Sequence, residues 1–271
     1  MTETARQDAS SDGFAVDPST GERLSAILLE DDCVPGLWAS VDSGEMDDLV
    51  PELAALRMEQ DPIHRHKDVL SHTIAVVAKT EPDLTVRLAA LFHDIAKPRT
   101  RSFEHGGVTF RHHEVVGARM ARRRLAAMGY SELVIDEVAE MVRLSGRFKG
   151  YADGWSDAAV RRYARDAGPL LGRLNHLIRC DCTTRNKARA AGIQALMDDL
   201  EFRIAELAEQ ARVAAERPGM DGAAVMAHLG IGPGREIGEA LAFLLALKRS
   251  EGEMEQSEME ARLDVWWSER S

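Results

Sequence analysis

The sequence predicts an all-α protein, and three observations carry that prediction. Aromatic residues make up only 5% of the chain, whereas Ala, Leu, Glu and Arg, which favour helices over sheets, are abundant. Apolar residues recur at helical spacing, as over residues 84–97. Helix-capping residues stand at matching positions, such as Ser131 and Ser156 at predicted helix starts. At 271 residues, the chain can bury one substantial core and a smaller helical appendage.

The N-terminal part of the chain divides into two predicted segments. Residues 1–22 are polar and rich in Ser, Asp, Thr and Gly, so we expect a disordered tail. Residues 23–60 are expected to form an N-terminal helical segment, with helix from about Leu24 to Arg57. The start of the chain lacks the basic and apolar regions of a signal peptide, and no apolar run could span a membrane. A cytoplasmic location is therefore expected.

Residues 61–190 are predicted to form the core domain. Its most apolar helix covers residues 84–97 and is expected to end at Pro98. The following stretch, RSFEHGGVTFR, predicts a tight loop or small hairpin that turns at Gly106–Gly107. Further helices are predicted at about Glu114–Met128, from Ser131, and from Ser156 to before Gly168.

Residues 191–271 are predicted to form an additional C-terminal helical subdomain. A long amphipathic helix from about Asn186 to Glu216 leads into it. The glycine-rich stretch LGIGPGREIG then favours a joint between two helices, with Pro233 starting the second. A phosphate-binding loop is not expected, because no strand precedes the stretch and no Gly-Lys-Ser/Thr follows it.

Four polar residues occupy core-facing positions on three predicted helices. His93 and Asp94 close the helix over 84–97, His72 lies on the apolar face of the helix before it, and Asp181 lies on the apolar stripe of a later helix. A carboxylate in a core is costly unless it is paired or bound to a cation. Two imidazoles and two carboxylates suit a divalent metal. We therefore predict a metal site, the alternative being four separate hydrogen-bonded or ion-paired core residues.

Charge is distributed unevenly along the chain. The net charge is −11 overall, but it is +9 over residues 97–190, against −11 over 1–60 and −8 over 191–271. The basic part surrounds the predicted site and suits an anionic substrate such as a phosphate ester. The acidic ends are expected to repel a long phosphate backbone. We accordingly expect a small nucleotide as partner, weak or absent nucleic-acid binding and no membrane contact, and a homodimer is left open.

The order H…HD…D and the segment LFHDIAKP resemble the HD-domain metal-dependent phosphohydrolases. Beyond this signature, ordered stretches from about Val50 to Trp267 resemble the C-terminal half of actinobacterial CCA-adding tRNA nucleotidyltransferases, among them VPELAALRMEQDPIHRHKDVLSHT, VTFRHHEVVGARMA and LGIGPGREIGEALAFLLAL. The resemblance implies an HD-domain helical core with an additional C-terminal helical subdomain. No Gly-Ser loop followed by an Asp-x-Asp pair precedes the matched region, so the nucleotidyltransferase head is expected to be missing.

The resemblance also implies roles for individual residues. By position, His72, His93, Asp94 and Asp181 match the metal ligands, and Lys97 matches the lysine that faces the substrate phosphate. Ser145 stands where the resembling sequences carry a histidine that helps to hold a second metal. One divalent transition metal, namely Mn, Fe, Co or Ni with Mg as a further option, is therefore expected rather than two.

The expected function is removal of phosphate from a nucleoside monophosphate or a 2′,3′-cyclic nucleotide by metal-activated water. Asp94 and Lys97 are the predicted catalytic residues, with Lys97 neutralising charge on the phosphoryl group. Asp68, four residues before His72, is predicted to orient that histidine by a hydrogen bond. The alternative function is that of a non-catalytic tRNA-binding or regulatory remnant of a nucleotidyltransferase. Further substrate contacts are predicted from Arg99, Arg101 and His113.

Overall fold

The computed structural model describes residues 17–59, 68–104, 107–184 and 186–270, and this part of the chain is largely helical. The predicted all-α class is confirmed, with one two-stranded hairpin as the sheet in the described residues. The chain divides into two compact units, residues 1–204 and 205–271. Residues 1–16 of the predicted disordered tail lie outside the described residues.

The first unit contains most of the helices. They are α1 (Pro18–Leu29), α2 (Val34–Ser43), α3 (Glu45–Leu49), α4 (Val69–Val77), α5 (Leu84–Phe92), α6 (Lys97–Thr100), α7 (His113–Ala127), α8 (Glu132–Leu144), α9 (Asp157–Ala167) and α10 (Leu171–Asp181), followed by α11 (Lys187–Ala215), which continues into the second unit. Short 3₁₀ helices cover Pro51–Leu56, Arg147–Asp153 and Gly168–Leu170.

Helix α5 is the centre of the first unit. Every residue from Thr85 to Phe92 is buried, as expected for a helix that is apolar on nearly all sides. Asp83 caps it by accepting the backbone N–H of Val86. Helices α4, α8 and α10 all contact α5. The ends of α4, α5 and α10 can therefore contribute side chains to one place.

Helix α5 ends earlier than the sequence predicts. The predicted helix runs to Lys97, whereas α5 stops at Phe92 and the short helix α6 starts at Lys97. Pro98 lies in the first turn of α6, where its missing N–H costs no hydrogen bond. The segment 93–96 between the two helices is a turn, and this break carries His93 and Asp94.

Helix α1 begins inside the segment that composition assigns to a disordered tail. Asp17 accepts the backbone N–H of Ser19, and Pro18 occupies the first helical position. Leu24 and Leu28 bury their side chains completely. Residues 17–22 therefore form the N-cap and the first turns of α1 rather than a disordered tail. Asp17 caps this helix, and the apolar face of the helix is buried.

The predicted hairpin is formed by β1 (Arg101–Glu104) and β2 (Gly107–Phe110), which pair antiparallel. Its register places Arg101 opposite Phe110 and Phe103 opposite Val108. On the other face, the hydroxyls of Ser102 and Thr109 are 2.7 Å apart. Gly106, where the turn is predicted, lies outside the described residues.

The second unit has its own small core. It contains α12 (Gly222–Leu229), α13 (Arg235–Glu251) and α14 (Gln256–Ser268), whose buried side chains include Val225, Leu244 and Leu263. The glycine-rich stretch is a joint between helices, as predicted, but Pro233 does not start the second helix, because α13 begins at Arg235 with Gly234 as its N-cap. Gly230 ends α12 with a left-handed backbone (φ 64°), a conformation that glycine adopts without strain. Among the described helices, none has the length and apolar character needed to cross a membrane.

Candidate metal centre

His93 is fixed by the turn that follows α5. Its Nδ1 lies 2.7 Å from the carbonyl oxygen of Ala90, and because a carbonyl only accepts, Nδ1 must carry the proton in this hydrogen bond. In the neutral ring, Nε2 then presents a lone pair to the centre of the cluster. The fold therefore orients His93 as a candidate ligand.

The other three predicted ligands converge on the same point. His72 Nε2, from α4, is 3.3 Å from His93 Nε2. Asp181, the last residue of α10, places Oδ1 3.0 Å from His72 Nε2 and 3.6 Å from His93 Nε2. Asp94 places Oδ2 3.4 and 3.2 Å from the same two nitrogens. Three separate helices thus bring two imidazoles and two carboxylates together.

The cluster brings charged groups together in a buried place, which is costly unless the charges are paired. Asp94 is 2% exposed, and only the side chain of Asp181 is substantially open to solvent, at 35%. Burial alone would lower the pKa of His93, but the carboxylates of Asp94 and Asp181 outweigh it and raise that pKa to about 10.

The two carboxylates in turn stay ionised. Burial would raise the pKa of Asp94, but His93 and Lys97 hold it well below its ordinary value. Burial opposes ionisation of Asp181 in the same way, and hydrogen bonds from His72 and His93 lower its pKa well below the ordinary range. The two anions therefore need positive charge beside them, either protons on the imidazoles or a cation.

The donor set fits a divalent metal ion. His72, His93 and Asp181 each offer one ligand atom, and all three atoms lie within 4.8 Å of one another. Separations near 3 Å are those of atoms that share one ion, since metal–nitrogen and metal–oxygen bonds are about 2.0–2.2 Å. Mixed imidazole and carboxylate ligands suit several first-row transition metals. The residues that could hold such an ion are His72, His93, Asp94 and Asp181.

An open cleft adjoins the cluster at Lys97. Lys97 is 6% exposed, and its Nζ donates to Asp94 Oδ2 over 2.7 Å and lies 5.6 Å from the centre of the Phe110 ring. His113 Nε2 is 3.5 Å from Asp94 Oδ1. The cleft has a volume of about 360 Å³ and is lined by Lys97, Phe110, Arg111, His112, His113, Glu114 and Lys149. Its lining holds three cationic side chains against one carboxylate, which suits a phosphate group.

The remaining predicted site residues have different positions. Lys97 and His113 line the cleft, whereas Arg99 is exposed on α6 and Arg101 stacks on Phe103 in the hairpin. Neither arginine is among the residues that line the cleft. Ser145 donates its hydroxyl to the carbonyl oxygen of Val142 in its own helix.

The prediction that Asp68 orients His72 is wrong. Asp68 is the N-cap of α4, and its carboxylate accepts the backbone N–H and the hydroxyl of Ser71, each over 2.7 Å. Thr183 takes the expected role, with its hydroxyl 2.9 Å from His72 Nδ1. A capping carboxylate folds over the first helical turn and so does not reach a side chain four residues on.

Some residues at the site carry no signal in the sequence. Thr183 lies in the short loop after α10, where no pattern predicts its contact with His72. Lys149 comes to the cleft from the 3₁₀ helix Arg147–Asp153, distant in sequence from the other lining residues. His112 is the sole non-glycine residue with a positive φ, 62°, in the described part of the chain. This left-handed backbone is uncommon outside glycine and often marks a functional site.

Comparison with known proteins identifies the family. Residues 69–203 match the HD domain. The chain is 31% identical over 256 residues to a CC-adding tRNA nucleotidyltransferase of Thermus thermophilus, a match covering 91% of this chain and 56% of that protein. It is 32% identical over 264 residues to an A-adding tRNA nucleotidyltransferase of Deinococcus radiodurans, covering 92% of this chain and 58% of that protein. The chain thus spans little more than half the length of these relatives.

These relatives correct one prediction. Both are named for adding nucleotides to tRNA, so the expectations of a small-nucleotide partner and of weak or absent nucleic-acid binding are wrong. The net charges of whole segments gave the wrong expectation about nucleic-acid binding, because many acidic residues after position 204 form ion pairs with nearby arginines. Arg212 bonds Glu209 and Glu216, and Arg262 bonds Glu251. The chain is an HD-domain protein that resembles, over about nine-tenths of its length, the C-terminal portions of tRNA nucleotidyltransferases.

Proposed function

We propose that this chain is a metal-dependent phosphohydrolase that acts on a phosphate ester at the end of an RNA of the tRNA type. One observation supports this most strongly: two imidazole nitrogens and two carboxylate oxygens converge beside a buried lysine at the mouth of a basic cleft. The HD domain favours phosphoester hydrolysis, and the named activities of the relatives favour tRNA as the carrier of the ester. The ester would be a phosphomonoester or a 2′,3′-cyclic phosphate.

Four of the residues would bind an ion, and Lys97 would bind the phosphate. His72, His93, Asp94 and Asp181 would hold a divalent metal, which supplies an activated water and polarises a phosphoryl oxygen. Lys97 is held against Asp94 by its 2.7 Å hydrogen bond and also lines the cleft. Its ammonium group can therefore neutralise charge that develops on the phosphoryl oxygens without first having to be positioned.

His113 contributes a second polar group at the boundary between cluster and cleft. Its Nδ1 donates to the carbonyl oxygen of Phe110 over 2.7 Å, and burial lowers its pKa, so the ring is neutral near pH 7. Its Nε2 then faces Asp94 Oδ1, at 3.5 Å, as a second acceptor. A water molecule beside the two atoms can donate one proton to each of them.

A screen of metals against substrates tests the proposal. Chelator-treated protein is given Mn²⁺, Fe²⁺, Co²⁺, Ni²⁺ or Mg²⁺ together with RNA ending in a 3′-phosphate or a 2′,3′-cyclic phosphate, with free nucleoside monophosphates as comparison. We expect phosphate release or ring opening with at least one metal. Asp94→Asn should lower turnover at least about a hundredfold, because a metal ligand and the partner of Lys97 lose charge together.

Asp136→Asn is the matched control, because Asp136 is an exposed residue in a surface ion pair with Arg122. This variant should keep wild-type turnover. Wild-type protein that binds tRNA tightly but releases no phosphate with any metal would contradict hydrolysis and favour the tRNA-binding remnant instead.

A further inference from the structure

One face of the hairpin carries an exposed aromatic ring beside a guanidinium group. Phe103 is 71% exposed, the highest value among the exposed large apolar side chains of the described residues. The guanidinium carbon of Arg101 lies 5.0 Å from the centre of the Phe103 ring, within the range of a cation–π contact. Arg101 Nε is buried and finds no hydrogen-bond partner among the described residues. The ring of Phe103 is thus the contact that the structure gives the guanidinium group on this face of the hairpin.

The same face leads directly into the cleft. Alternate residues of a strand share a face, so Arg101 and Phe103 of β1 lie on the face that also carries Val108 and Phe110 of β2. Phe110 lies below Lys97 and lines the cleft. Phe103 pairs with Val108 and is thus two residues further along the hairpin than Phe110, roughly 7 Å away.

The combination of charge and ring favours one kind of ligand. A phosphate held at Lys97 would place the neighbouring nucleoside near the hairpin, because Phe110 both lines the cleft and belongs to the hairpin. Aromatic rings bind single-stranded bases by stacking on them, and neighbouring arginines bind the backbone phosphates. An exposed ring with a cationic neighbour is less suited to an apolar protein surface, where a guanidinium group would lose its hydration.

We propose that the Arg101–Phe103 face of the hairpin is a base-stacking platform that binds the unpaired 3′-terminal nucleotides of an RNA and delivers their terminal phosphate to Lys97. The proposal rests on the proposed function for the identity of the terminal ester. The stacking itself does not require hydrolysis. The platform would accept any base, since every base offers a flat aromatic face, and it would select single-stranded over paired ends.

Two variants with a matched control test the platform. Phe103→Ala removes the ring, Phe103→Trp keeps a stacking surface, and Phe202→Ala removes an equally exposed ring, 67% exposed, from a part of α11 that does not line the cleft. Affinity is measured by fluorescence anisotropy with a labelled single-stranded RNA of roughly ten nucleotides. We expect Phe103→Ala to weaken binding about fivefold to a hundredfold, while Phe103→Trp and Phe202→Ala stay near the wild-type value.

A second readout separates this inference from the proposed function. For each variant, hydrolysis of a 3′-phosphorylated RNA is divided by hydrolysis of p-nitrophenyl phosphate, which has no neighbouring base. The platform predicts that this ratio falls in Phe103→Ala and is restored in Phe103→Trp. If the wild type hydrolyses neither substrate, the proposed function fails, and the anisotropy result alone decides on the platform. Equal RNA affinities of Phe103→Ala and Phe202→Ala would overturn the platform whatever the hydrolysis shows.

Discussion

Thr183 contacts the imidazole of His72 at the candidate metal centre. Its hydroxyl lies 2.9 Å from His72 Nδ1, while His72 Nε2 lies 3.0 Å from Asp181 Oδ1. A partner on the outer nitrogen fixes both the tautomer and the orientation of a ligating histidine. Because Thr183 follows Asp181 by two residues, the end of α10 and the loop after it supply one candidate ligand and also the support for another.

Replacing Thr183 by valine should weaken metal binding. Valine keeps the shape of the side chain but removes the hydroxyl, so His72 loses its outer hydrogen bond, and we expect metal affinity to fall about tenfold to a hundredfold. Thr184→Val is the control, because the Thr184 hydroxyl bonds the backbone N–H of Asn186 and not a ligand. Titration with Mn²⁺ measures both variants. Equal affinities in the two would show that Thr183 does not position His72.

The sequence predicts which residues share the site, but it does not predict individual contacts of this kind. The order of His72, His93, Asp94 and Asp181 indicates a shared site, because core-facing polar residues need one another. The support of His72 does not follow from helical spacing. Spacing places Asp68 on the His72 face only if Asp68 lies within the helix, and as the N-cap its carboxylate bonds Ser71 instead.

At the scale of elements, a buried arginine ties α5 to the end of α1. Arg87 is 2% exposed and donates to the carbonyl oxygens of Leu28, Glu30 and Thr80. The last carbonyls of a helix have no partner within it and attract cations. Arg87 therefore closes the C-terminal end of α1 and fixes that helix against α5, the element that positions His93.

Loss of this arginine should destabilise the first unit. Arg87→Met keeps much of the volume but leaves buried carbonyl oxygens unpaired, so we expect the free energy of unfolding to fall by about 2–4 kcal/mol. Arg122→Met, which removes a surface pair with Asp136, should change it by less than about 0.5 kcal/mol. Urea unfolding followed by circular dichroism compares them. Similar midpoints for the two variants would contradict the capping role of Arg87.

The elements themselves were predictable, but the break between α5 and α6 was not. Apolar spacing continues from Leu84 through Ile95 and so predicts a helix to Lys97. The structure stops the helix at Phe92, where the His93 ring bonds the carbonyl oxygen of Ala90 and a new helix begins at Lys97 with Pro98 in its first turn. The spacing of apolar residues carries no information about these side-chain contacts, so it does not predict the boundary.

At the scale of the whole molecule, the uneven distribution of charge is explained by where individual charged residues lie. The net charge of +9 over residues 97–190 includes the lysines and arginine that line the cleft. Much of the acidic charge beyond residue 204 is held in ion pairs such as Glu216 with Arg249. Sums over whole segments are therefore a poor guide to nucleic-acid binding, because phosphate groups respond to charges within about 10 Å.

The metal content of the purified chain tests the central claim most directly. Protein stripped with a chelator, reloaded with Mn²⁺ and freed of excess ion should contain one ion per chain by elemental analysis. His93→Ala should contain almost none while keeping its helical circular dichroism. His228→Ala is the control, because His228 pairs with Asp264 in the second unit, and it should match the wild type. A wild type without bound metal, or a His93→Ala variant with the full complement, would contradict a metal centre at His72, His93, Asp94 and Asp181.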